Sequence, residues 1–182
     1  MSRRLASLSL QLVCGDEMHN LSQREADIAV RATESPPPFL VGRRVGRLET
    51  GVYAHAAFTE TSLEEIPWIG WSGLEETEGV VGRVRQEVGG RGAFVIHADS
   101  YGMVVELARH GAGATVLPRV LGDREPELVC LRGPIDAITL WVLTHPDLRH
   151  TPRIKKVMSE TAELFKTFLP EPSARPEDSE DA

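Results

Sequence analysis

One stretch, Phe94 to Pro118, reading FVIHADSYGMVVELARHGAGATVLP, constrains the fold more than any other because it spells strand, turn, helix, turn and strand without interruption. Ala93 to His97 is short, apolar and β-branched, which predicts a buried strand of the parallel kind. Asp99 and Ser100 then offer side-chain oxygens to cap a helix. From Ser100 to His110 the apolar residues Tyr101, Val104, Val105 and Ala108 recur at helical spacing, with Met103 and Leu107 widening the stripe, so one helical face packs on a sheet. Gly111 and Gly113 stop the helix and allow a close backbone approach, and Ala114 to Leu117 forms a second strand that Pro118 ends. The unit is βαβ, with a right-handed crossover expected.

A chain that contains such a unit needs neighbours to cover it, and 182 residues suffice for one domain or two small lobes. With 41% hydrophobic and 26% charged residues the composition is that of a globular protein. No apolar run is long enough to span a bilayer. More than half of the net charge of -7 falls in Pro170 to Ala182, where Glu171, Glu177, Asp178, Glu180 and Asp181 face only Arg175. The remainder is mildly acidic and has no basic patch, which argues against nucleic-acid binding by this chain itself. Cys14 and Cys130 lie on separate apolar runs outside any C-x-x-C pattern and are expected to be buried, reduced thiols. The opening MSRRLASLSLQLVCG has arginines, an apolar run and a cysteine. However, Ser7, Ser9 and Gln11 interrupt the run and bulky Val13 precedes Cys14, so it is not read as a secretion signal, and a cytoplasmic location is expected.

Alternation of Leu8, Leu10 and Leu12 with Ser9, Gln11 and Val13 predicts a first strand, Asn20 to Glu25 one helical turn, and Ala26 to Arg31 a second strand. Pro36, Pro37 and Pro38 mark a loop. Leu40 to Phe58 reads as two extended pieces with a turn near Glu49, and PWIGW, Pro67 to Trp71, as a short strand. Trp68 and Trp71 alternate there, and core packing accounts for at least one of them. Val80, Val81, Val84 and Val88 predict a helix over Thr77 to Val88, with Glu75, Glu76 and Glu78 near its amino end. Leu128 to Leu131 is a strand that Gly133-Pro134 breaks, and Ile138 to Thr144 is a separate apolar strand. Thr151 to Leu169 is a helix with Pro152 at its first position and Ile154, Val157, Met158, Thr161, Leu164, Phe165 and Phe168 on one side. The tail from Pro170 is expected to be disordered.

In combination, LSQREADIAVR, LVGRRVGRLETGVYA, PWIGW, ARHGAGATVLP and LWVLTHPDLRHTPRIKKVM, spread over residues 8 to 169, resemble the effector-binding domain of LysR-type transcriptional regulators. That resemblance implies an α/β, two-lobed fold of the periplasmic-binding-protein-like type II class. Residues 1–55 and 140–169 would form lobe one, 56–139 lobe two, and 170–182 the disordered acidic tail. The chain opens at what looks like the second strand of lobe one, which implies a lobe that lacks its first strand and helix, a missing helix-turn-helix, and exposed strand edges. The implied function is sensing a small-molecule effector in the interlobe cleft, with no cofactor, no membrane and no enzymatic step. The expected partner is a second copy or an intact regulator.

The resemblance places the effector against Trp71, Ser72 and Gly73 after PWIGW, Thr77 at the next helix, Asp99, Ser100 and Tyr101 at the start of the central helix, and Thr144. Tyr53, His55 and His145 are the accompanying hinge residues. Helix amino ends offer free N–H groups to anions, although Asp99 or Ser100 serve equally as simple caps. Two other readings compete. ADSYG is one residue from the G-x-S-x-G nucleophile elbow, with Asp123 or Asp136 and then His145 in the chain order of a serine hydrolase, but Ala98 replaces the first glycine and no oxyanion-hole motif precedes it. A stand-alone solute-binding protein would need an export signal. The six histidines show no helical metal-ligand pairing, and His145 and His150 flank an exposed Pro-containing turn.

Overall fold

The computed structural model describes residues 8–13, 26–72 and 79–169. They divide into two compact units, one made of 8–13, 26–48 and 138–169 and the other of 49–72 and 79–137. Six strands form a four-stranded sheet in the order β1-β6-β2-β5 and a two-stranded sheet of β3 and β4. These are β1 (Ile28–Ala32), β2 (Val41–His55), β3 (Trp68–Trp71), β4 (Phe94–Ala98), β5 (Thr115–Pro118) and β6 (Leu128–Thr144). The helices are α1 (Gly79–Glu87), α2 (Tyr101–Arg109), α3 (Arg119–Gly122) and α4 (Pro152–Lys166).

In the second unit, strand alternation places apolar residues on both sheet faces. Val52, Ala54, Trp68 and Val116 pack with Val81 and Val84 of α1, while Tyr53, Ile69 and Leu117 pack with Val104 and Ala108 of α2. β3 lies at the centre. It pairs in parallel with β4, and Trp68 forms a parallel bridge to Ala114 at the start of β5. β5 pairs antiparallel with β2, from Thr50↔Pro118 to Tyr53↔Thr115. The strand, helix, strand unit therefore exists as expected, with β3 between its two strands. Gly92 and Gly113 permit this crowding: an added Cβ would lie 1.9 Å from the Ile66 carbonyl oxygen and 2.4 Å from that of Pro67.

Helix caps follow the sequence closely. The Ser100 hydroxyl accepts from the Met103 N–H at 3.3 Å, and Gly111 takes the left-handed φ of 75° that ends α2. Pro152 occupies the first turn of α4 after Thr151, and Ile154, Thr161 and Ala162 are its buried residues.

Several expectations need correction. Leu8 to Val13 forms no strand: the segment joins no ladder among the described residues and all but Leu8 are exposed. β2 is one strand of 15 residues without a turn at Glu49, and β6 is one strand of 17 that passes through the cis Gly133-Pro134 bond. Glycine or proline in a strand removes a side chain or one donor, and Gly133-Pro134 lies outside the part of β6 that β1 covers, Leu140 to Thr144, so the missing donor costs no bond to β1. β4 is parallel but not buried, since Val95 is 51% and Ile96 38% exposed. Within α4, Phe168 falls beyond the helix and is exposed. Cys130 is exposed, not buried. Cys14, the turn over Asn20 to Glu25, Glu75, Glu76, Glu78 and the acidic tail lie outside the described residues. Trp68 is fully buried, and Trp71 only partly.

In the first unit β6 pairs with β1, from Ile28↔Thr144 to Ala32↔Leu140. Ala29 and Trp141 pack on Leu40 and Leu143. The chain leaving β1 is tied back to β6 by two contacts: Trp141 Nε1 donates to the Thr33 carbonyl at 3.1 Å, and the Thr139 N–H donates to the Glu34 carboxylate at 2.8 Å.

Candidate functional site

β3 and β4 end together because their parallel register closes on Trp71↔Ala98. The next N–H, that of Ser72, still donates to the Ala98 carbonyl at 2.9 Å, after which the two chains part. On the β4 side, Asp99 and the cap residue Ser100 lead directly into α2. Five of the residues singled out from the sequence thus converge at the carboxyl ends of one strand pair: Trp71, Ser72, Asp99, Ser100 and Tyr101. The aromatic rings of Trp71 and Tyr101 meet edge to face, with centroids 4.6 Å apart at 68°. Trp71 is anchored by packing against both apolar clusters of the unit, while Tyr101 remains 44% exposed.

The chemistry available at this end is mixed. Ser100 Oγ is committed to its cap bond and Ser72 N–H to Ala98, which leaves the Ser72 hydroxyl, the exposed Asp99 carboxylate and the aromatic surfaces of Trp71 and Tyr101. The first N–H groups of α2 have no helical acceptor. A Cβ added at Gly102 meets nothing within 4 Å, so the first turn is open at that position. Such a set suits a small polar molecule with one planar or apolar face. Gly73 and Thr77 lie outside the described residues.

Thr144 belongs to the other unit. It is fully buried, and its hydroxyl donates to the Asp27 carbonyl at 2.7 Å. The accompanying residues have structural duties as well. His55 Nδ1 accepts from the Ala57 N–H at 3.1 Å, and His145 Nδ1 accepts from the Asp147 N–H at 3.3 Å.

Tyr53 is buried on β2, and its hydroxyl donates to the Asp123 carboxylate. Burial raises the phenol pKa well above its ordinary value, with the bond to Asp123 adding to the effect, so Tyr53 stays a donor. Arg119 pairs with the same carboxylate at 3.2 Å and with Glu49 at 3.5 Å. A second network holds the end of α2: Arg109 meets Glu106 at 2.7 Å, Glu127 at 3.1 Å and Glu125 at 3.4 Å. The hydrogen bond from Arg109 lowers the Glu127 pKa. The links from Tyr53 to Asp123, from Arg119 to Glu49 and from Arg109 to Glu127 join residues far apart in sequence, which no local pattern reveals. His97 was also missed. An added Cβ on Gly70 would come within 2.6 Å of its ring, and a glycine inside the short strand PWIGW was the available signal.

The hydrolase reading finds no support in these contacts. Ser100 caps a helix, Asp123 is held by Tyr53 and Arg119, and His145 turns to Asp147, with Nδ1 3.3 Å from its carboxylate. Among the described residues no group of three or more His, Cys, Asp or Glu side chains could hold a metal ion, and no helix is long and apolar enough to cross a membrane.

The sequence matches the family model of the LysR substrate binding domain over residues 1–166. The chain belongs to this family. Its α/β fold is the type II periplasmic-binding-protein-like fold of LysR substrate-binding domains. The regulatory domain of CrgA, a LysR-type transcriptional regulator from Neisseria meningitidis, superposes with a TM-score of 0.72 at 20% identity, covering 90% of this chain and 87% of that one. The C-terminal domains of a LysR family protein from Agrobacterium tumefaciens give 0.69 at 17% identity, over 93% of this chain and 89% of that one. Full-length LysG from Corynebacterium glutamicum, whose structure carries bound effector Arg, gives 0.68 at 16% identity, over 92% of this chain and 62% of LysG. No curated protein matches the sequence. A LysR substrate-binding domain is an effector-sensing regulatory module, not an enzyme family.

Proposed function

We propose that this LysR domain senses a small metabolite at the carboxyl ends of β3 and β4. The observation that carries the reading is the convergence of Trp71, Ser72, Asp99, Ser100 and Tyr101 at that end of the strand pair, with the Gly102 position of the first turn open. In this reading the aromatic pair supplies a packing surface, Ser72 and Asp99 fix polar groups of the ligand, and the free N–H groups of α2 receive an acceptor. Gly73 and Thr77, which follow Ser72 in the chain, are assigned to the same effector contacts. The chain catalyses nothing, works in the cytoplasm without a cofactor, and affects transcription through a DNA-reading partner, a second copy or an intact regulator, since its net charge of -7 disfavours phosphate binding by this chain itself.

The test is a thermal-shift screen of amino acids, hydroxy acids and cyclic carboxylates, followed by titration calorimetry of each hit on Asp99→Ala and Tyr101→Ala. Binding that weakens by roughly tenfold or more in both variants supports the site. A library in which no compound shifts the melting temperature, or a ligand that both variants hold equally well, removes it. Fluorophosphonate labelling that Ser100→Ala abolishes would restore the hydrolase reading instead.

A further inference from the structure

The two units carry opposite charge. Among the described residues the first holds nine basic and five acidic side chains, and the second seven basic and eleven acidic. In the second unit Arg91, Arg109 and Arg119 hold six of those carboxylates in ion pairs. The cations of the first unit are not answered in the same way. Lys166 pairs with Glu163 at 3.0 Å, and Arg31 and Arg47 have contacts of their own. Arg43 and Arg44 on β2, and Arg153, Lys155 and Lys156 on α4, are exposed and form no ion pair among the described residues.

The complementary charge follows in the chain. Residues 170–182 carry Glu171, Glu177, Asp178, Glu180 and Asp181 against Arg175, an excess of four negative charges that equals the positive excess of the first unit. The stretch also departs from the right place. Leu169, just before it, is buried against β2, where a Cβ added at Gly46 would lie 2.9 Å from its side chain. Arg44 and Arg43 stand two and three residues from Gly46 on the same strand, roughly 7 and 10 Å away at the rise of a strand. Lys155 lies roughly 20 Å back along α4 at the rise of a helix. Thirteen residues reach about 43 Å when extended, so both sets of cations are within range.

We propose that the exposed cations of β2 and α4 form a docking surface for the chain's own acidic segment, 170–182, which screens that face from other anions. A single exposed ion pair contributes little in water. Several pairs on a short tether act together, because the tether holds the segment at an effective concentration on the order of a millimolar. The contact is electrostatic and therefore weakens with salt. It does not depend on the effector site.

Nuclear magnetic resonance of the isotope-labelled full chain tests it, with the free peptide 170–182 as reference. The amide signals of Glu177 to Asp181 are expected to differ from those of the peptide at low salt. They should return to the peptide positions in Arg43→Gln/Arg44→Gln, and in the wild type at about 0.5 M salt, where the screening length falls below about 5 Å. Lys155→Gln/Lys156→Gln, altered on a different element, should move them in the same direction, and Arg91→Gln in the second unit should leave them in place. Signals that match the peptide at low salt overturn the proposal, as do signals that neither double variant moves or that Arg91→Gln moves equally. A shift that grows with protein concentration also overturns it, by assigning the segment to a second copy.

Discussion

β4 and β5 bracket the same helix and lie on either side of β3, and both are short, apolar runs. FVIHA is largely exposed, whereas TVLP is buried at every position. The difference lies in what each strand has beside it. β5 sits between the bridge to β3 and the ladder to β2, with α1 on one face and α2 on the other. β4 has β3 on one side only. Apolar composition therefore records which strand belongs to a sheet, but the number of neighbours decides how much burial it achieves.

The contrast can be broken most forcefully at β5. Leu117→Ala removes a fully buried side chain between Tyr53 and α2 and should cost about 2–5 kcal/mol in chemical denaturation. A loss under about 1 kcal/mol would mean that β5 is less tightly packed than described. Next in size is Tyr53→Phe, which leaves Asp123 with Arg119 alone and should cost about 1–3 kcal/mol. Ser100→Ala takes away the cap of the helix that both strands share, with an expected loss of about 1 kcal/mol.

Glu127→Gln sharpens the comparison through pH, because Glu127 fastens the end of α2 to the start of β6. Its pKa is lowered by Arg109, so its contribution is present above the ordinary carboxylate value of about 4.3 and fades as pH falls through the lowered value. Melting temperatures of the wild type and Glu127→Gln should accordingly differ slightly at neutral pH and converge in acid. A gap that widens in acid contradicts the assignment. The smallest effect belongs to β4, where Val95→Thr should change stability by no more than about 0.5 kcal/mol.

What could be read from the sequence followed local chemistry. α2 was legible because Ser100 is a capping residue and Val104 and Ala108 fall four apart, and α4 because Pro152 fits the first turn. PWIGW and ARHGAGATVLP also pointed to the family, which composition and periodicity could not have named. The continuity of β2 and β6 was hidden, since Gly46, Gly51 and Gly133-Pro134 look like breaks until neighbouring strands hold them. Exposure along β4 and the lack of a ladder for Leu8 to Val13 depend on which strands stand alongside, and no window of sequence contains that. The converging part of the candidate site was readable because strand ends and helix starts are adjacent in the chain. Tyr53 with Asp123, 70 residues apart, was not.

The crowding around Pro67 has an evolutionary counterpart. Gly92 and Gly113 each have a backbone carbonyl where a methyl group would need to be, so no rotamer or side-chain adjustment makes room for alanine. Gly111 is constrained differently, by its φ of 75°, which asparagine tolerates, and Gly102 is constrained by nothing within 4 Å. In a library randomised at these four codons and selected only for folded protein, 92 and 113 should return glycine alone, 111 glycine with some asparagine, and 102 nearly the whole alphabet. Glycines that look interchangeable in the stretch from 92 to 113 thus carry very different histories of permitted change.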